Sequence, residues 1–115
     1  MQLLIAVINQ EERIEEILSG FLEIGITGAT LVNSEGMGRL LAAEVPIFAG
    51  LQALAGRTRP RNQTLFSVID GDDKVDAALA LLQEVCGSFD TPATGIAFTV
   101  PINRVIGLKP EMSGG

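Results

Sequence analysis

The chain has 115 residues, 47% of them hydrophobic, with no His, Trp or Tyr, a single Cys and a formal net charge of −6. That length supports one domain, whose folding buries about 65% of the surface of the extended chain. The missing His excludes Ser-His-Asp and Cys-His nucleophile systems and His-ligated metal sites, the lone Cys excludes an internal disulfide and any CxxC motif, and the acidic balance argues against generic nucleic-acid binding.

The first predicted element is a strand over residues 2–8, an apolar run of buried-strand length. Asn9, with Glu12 three residues on, reads as the N-cap of a helix. In that helix Ile14, Ile17, Leu18, Phe21 and Ile24 form an apolar stripe, and Glu11, Glu12, Glu15, Glu16 and Glu23 hold the opposite face. Gly25 ends it, and residues 27–33 alternate as a second strand.

A long segment then intervenes. Between Arg39 and Arg61 the four Arg (39, 57, 59 and 61) and the single acid Glu44 give a net +3, which leaves −9 on the rest of the chain. The stretch from Pro46 to Gly56 has Pro in place for a helical first turn and Gly for its end, with Ile47, Leu51 and Leu54 on one stripe and Phe48 beside it. An apolar stripe there serves either as a docking element for a partner or as a flap folded back on its own sheet. Arg57, Arg59 and Arg61 suit a phosphate or an acidic partner, though such a run is also an ordinary solvated loop.

The second half repeats the first. Val7-Ile8-Asn9 lies over Val68-Ile69-Asp70 at an offset of 61, and Thr27-Gly28-Ala29-Thr30 over Thr94-Gly95-Ile96-Ala97 at an offset of 67, which implies a six-residue insertion within 88–93. A third strand over 64–69, a helix capped by Asp70 and ended by Gly87, and a fourth strand over 95–102 follow. In the second helix Val75, Ala78, Leu79, Leu82 and Cys86 form the buried stripe, so Cys86 reads as structural, and Asp72, Asp73 and Asp76 as acids favoured at a helix start rather than a metal site. Residues 103–108 are expected to add a short edge strand and 109–115 a loose tail.

Two such units predict an α+β, ferredoxin-like βαββαβ fold over 1–108, with a four-stranded antiparallel sheet, two helices on one face and a long loop, 36–62, between the middle strands. The strands are apolar on both faces, Leu3, Ile5 and Val7 alternating with Leu4, Ala6 and Ile8. A sheet buried on both faces needs a second cover, which predicts a homo-oligomer packed sheet to sheet. The start lacks a basic n-region, and the longest uncharged apolar stretch, 45–56, is well short of the roughly 18 residues of a membrane span. A cytoplasmic chain without membrane insertion is therefore expected.

Gly36-Met37-Gly38-Arg39 leaves the second strand with glycines that let backbone N–H groups approach a phosphate and an Arg that grips one; the same pattern also serves a plain strand exit. Together with "LEIGITGATLVNSEGMGR" before the long loop, "DDKVDAALALL" in the second helix and "GIAFTVPINRVIGL" near the end, the chain resembles the PII signal-transduction family over residues 1 to about 108. The resemblance implies a homotrimer, no catalytic residue and no metal, with an adenine nucleotide (ATP, ADP or AMP) as effector, not a required cofactor, in clefts between subunits. It also implies a T-loop, 36–62, that docks on a regulated enzyme or a membrane transporter through Pro46, Ile47, Phe48, Leu51, Leu54, Arg57, Arg59 and Arg61. By the same resemblance the ligand residues are Thr30, Gly36, Met37, Gly38, Arg39, Thr94 and Gly95, with Met37 in place of the family's aromatic. Other positions depart from the family. Leu40 stands where a glutamine handles Mg-ATP and 2-oxoglutarate, Ile96 where the GDGK lysine binds phosphate, and Gly107 at one of the lost C-terminal arginines. With no Tyr the loop cannot be uridylylated. The alternative is a CutA-like or ACT-like trimeric small-molecule module without nucleotide sensing. An acylphosphatase-type enzyme would need a phosphate cradle where Asn9-Gln10-Glu11-Glu12 is acidic.

Overall fold

The computed structural model describes residues 1–37, 62–90 and 95–108. Strand β1 (Gln2–Ile8) leads through a 3-10 turn (Glu11–Arg13) into helix α1 (Ile14–Ile24) and strand β2 (Thr30–Ser34). Strand β3 (Asn62–Ile69), helix α2 (Asp72–Cys86) and strand β4 (Gly95–Pro101) follow. The sheet order is β2-β3-β1-β4 with every neighbouring pair antiparallel, the ferredoxin-like arrangement expected. Residues 103–108 form no strand, so the expected edge addition is absent there.

The helix starts differ from expectation. The residue before the 3-10 turn is Gln10 and that before α2 is Gly71, each one position later than the Asn9 and Asp70 expected. Gln10 instead donates from Nε2 to the Cys86 carbonyl at 3.0 Å, closing the far end of α2. The end of α1 is as expected: Gly25 is left-handed (φ 100°), and the Ile26 N–H reaches back to the Phe21 carbonyl at 2.8 Å.

One sheet face is closed by the helices. Leu4, Ala6, Ile8, Leu65 and Ile69 from the central strands meet Ile14, Ile17 and Phe21 of α1 and Val75, Ala78 and Leu82 of α2, all buried. The helices approach closely because residue 20 is Gly: a Cβ there would run into the Leu81 side chain.

The pairing corrects the repeat. Thr30 is opposite Phe66, whose counterpart at an offset of 61 is Ile5, and Ile5 is opposite Phe98. Thr30 is thus equivalent to Phe98, at an offset of 68, and the insertion is seven residues rather than six. A slip of one residue changes the face, which is why sequence similarity at an offset of 67 set outward Thr30 over inward Ala97.

The other face carries three rows across the sheet: Val68, Leu3 and Val100; Thr30, Phe66, Ile5 and Phe98; Val32, Thr64, Val7 and Ile96. The helices pack on the opposite face, and here Ile96 (56%), Val32 (47%) and Phe98 (44%) are exposed to a degree normally reserved for polar side chains.

Candidate functional site

Among the described residues a cleft of about 430 Å³ opens at the β2 edge of the sheet. It exists because the two strands part company. Pairing between β2 and β3 stops at Thr30 opposite Phe66, while β3 runs on to Ile69. The chain from Gly25 to Ala29 arches over that unpaired end, leaving a slot floored by Leu3, Phe66 and Val68. Ser67, almost fully buried, donates from Oγ to the Gly28 carbonyl at 2.7 Å, so a side chain replaces the missing ladder bond. Asp70 and Lys74 stand on the rim, and Gly107 and Leu108 from the C-terminal segment complete it. Lys74 Nζ lies 3.4 Å from the Gly25 carbonyl, at the C-terminal end of α1 where a cation is favoured.

At the other end of β2 the two roots of the long loop are tied together. Ser34 Oγ donates to Asn62 Oδ1 at 2.6 Å and lies 2.8 Å from Thr64 Oγ1. With Ser34 giving its proton to the amide oxygen, the Thr64 hydroxyl is left to donate to Ser34. Asn62 is buried, so this network is shielded from competing water.

The anticipated ligand residues that are described, Thr30, Gly36, Met37 and Gly95, do not converge within one chain. Thr30 lines the cleft. Gly36 and Met37 lie past the opposite end of β2, roughly 20 Å along the strand direction. Gly95 opens β4, opposite Ile8, on the far edge of the sheet, three strand spacings or roughly 14 Å across from β2. Its φ of 147° and the Val7 carbonyl in the way of any Cβ explain glycine there by backbone packing alone. Gly38, Arg39, Thr94, Leu40 and the loop residues Pro46, Ile47, Phe48, Leu51, Leu54, Arg57, Arg59 and Arg61 lie outside the described residues.

Sequence reasoning passed over Ser67, Asp70 and Lys74 as site residues. Ser67 was visible as a lone hydroxyl at an inward position of an apolar strand, and Lys74 as the one cation in an acidic helix start. The cleft itself had no sequence signal, because it arises where pairing stops.

Within the cleft Ser67 is committed to the Gly28 carbonyl, and the chain has no His to act on it as a base. Cys86 sits at the opposite end of α2 from Lys74, and burial pushes its thiol up, an effect partly offset by Arg13. Among the described residues no group of three His, Cys, Asp or Glu is placed to hold a metal, and no helix is long and apolar enough to cross a membrane.

The described residues thus form an antiparallel ferredoxin-like sheet with helices on one face, an apolar opposite face and a cleft at its edge. Residues 1–112 match the family described as nitrogen regulatory protein P-II, and the chain belongs to that family of non-catalytic regulatory proteins. No curated protein matches it.

Proposed function

We propose that this protein is a trimeric, cytoplasmic regulator that senses an adenine nucleotide between subunits and passes its state to a partner through the loop 36–62. The observation that carries this reading is the division of the ligand residues between two sheet edges, Thr30 and Gly36 by β2 and Gly95 at the start of β4. A site that unites them is complete only when the β2 edge of one copy meets the β4 edge of another. The apolar open face supplies the reason for copies to associate, since roughly 25 cal/mol is gained per Å² of apolar surface removed from water. Ligand occupancy then biases the loop, whose roots are held by Ser34, Asn62 and Thr64, and so changes affinity for a regulated enzyme or membrane transporter.

Calorimetric titration of ATP, ADP, AMP and cyclic dinucleotides, with light scattering for mass, tests the proposal. Saturable binding at one site per subunit in a trimer supports it. A trimer silent to every nucleotide supports instead the CutA-like or ACT-like small-molecule module, a reading favoured by Leu40 and Ile96 at positions where the family handles phosphate.

A further inference from the structure

We propose that Asp70–Gly71 is a modification site, at which the main chain isomerises spontaneously to isoaspartate. Asp70 is the only Asp in the chain followed by Gly, and no Asn is. The reaction needs a side-chain carboxyl that is not held elsewhere, next to a main-chain nitrogen that nothing shields. Residue 70 links β3 to α2, and its carboxylate has no hydrogen bond or ion pair among the described residues. Gly71 lies outside both elements, and its N–H donates no backbone hydrogen bond among the described residues. It stands at φ 114° with open space where a Cβ would be, so no side chain blocks the approach. Both residues are exposed. Asp72, Asp73 and Asp76, by contrast, are each followed by a residue of α2 that carries a Cβ and is held in helical conformation.

The step is an isomerisation and needs no oxidant or cofactor. The Gly71 nitrogen bonds to Asp70 Cγ, and a carboxyl oxygen departs as water with the amide proton and a proton from solvent. Water then opens the cyclic imide. Attack at Cγ restores Asp. Attack at the main-chain carbonyl carbon breaks its bond to the Gly71 nitrogen and leaves the chain running through Cβ and Cγ. The product has the same mass, one more main-chain carbon and its carboxylate directly on Cα. Its place in the fold gives the change a consequence. Ile69 is paired opposite Gln2, and Gln2 Nε2 donates to Asp72 Oδ1 at 2.9 Å, so both ends of the link are tied to the same residue. A longer link must bulge, which displaces the carboxylate of residue 70 on the cleft rim. It also disturbs the first turn of α2, where the Val75 N–H reaches the Gly71 carbonyl at 3.2 Å. The chemistry is independent of what the cleft binds.

The test ages the full chain in heavy-oxygen water at neutral pH, folded and in guanidinium. Each imide opening adds one solvent oxygen, read by mass in the peptide that spans residue 70. An isoaspartyl-specific carboxyl methyltransferase with labelled S-adenosylmethionine counts the product. Opening at an exposed turn costs little, so conversion in the folded chain should run within about tenfold of the unfolded rate. Asp70→Glu, whose imide ring would have six members, should lose the signal with an unchanged far-UV spectrum. Asp70→Asn, which closes the same imide by releasing ammonia, should convert faster. Conversion in the folded chain more than about tenfold slower than in guanidinium overturns the proposal, as does label confined to other residues.

Discussion

Ser67 Oγ donates a hydrogen bond to the Gly28 carbonyl across 2.7 Å, tying the strand that floors the cleft to the segment that arches over it. Because Ser67 is only 2% exposed, no water takes its place easily. Ser67→Ala strips a buried carbonyl of its partner and should cost about 1 kcal/mol in urea unfolding. It should also loosen the arch, so any ligand of the cleft binds more weakly in the same variant.

The open face makes a different kind of prediction. Phe98 and Ile96 stand in adjacent rows on that face, both substantially exposed. A carboxylate at either site costs an isolated chain little but cannot be buried without a partner. Phe98→Glu should yield a folded monomer by light scattering with an unchanged far-UV spectrum. A variant that stays trimeric would show that the copies meet elsewhere.

Helix contact is testable at Gly20. A side chain there collides with Leu81, so Gly20→Val should destabilise by about 2 kcal/mol through overpacking. Leu81→Ala in the same chain should recover part of that loss, and the double-mutant cycle measures how much.

Cys86 supplies a pH dependence. Burial raises its thiol pKa above that of the unfolded chain, so the folded state keeps a proton that the unfolded state gives up. The stabilisation is fully present below about pH 8.5, the ordinary thiol value, and is lost as pH rises from there through the raised folded value. The urea midpoint should therefore fall between neutral and alkaline pH more steeply than in Cys86→Ala. Alkylation by iodoacetamide should be slow when folded and fast in urea.

Much of the architecture was legible before any coordinates. The apolar runs at 2–8 and 64–69, the stripe from Ile14 to Ile24 and the stop at Gly25 each carry a local period or a local steric demand. Two-sided apolar strands likewise announced an uncovered face, because side-chain alternation alone assigns residues to faces. Helix starts were less legible: Asn9 and Asp70 have capping chemistry, yet the residues at the caps are Gln10 and Gly71. Tertiary contact outweighed propensity there, with Gln10 drawn to the end of α2.

The composition of this acidic chain, without His or Tyr, by itself closes His-dependent chemistry and tyrosine modification to it, and the order of its residues shows that its halves repeat. What only the tertiary structure decided is where the halves fall out of step and what that leaves between strands. The register sets Thr30 with Phe98 rather than with Ala97, and the pairing of β2 ends four residues before Asp70. Both follow from hydrogen bonds between segments distant in sequence, which no local pattern encodes. The cleft and its Lys74 rim exist through them.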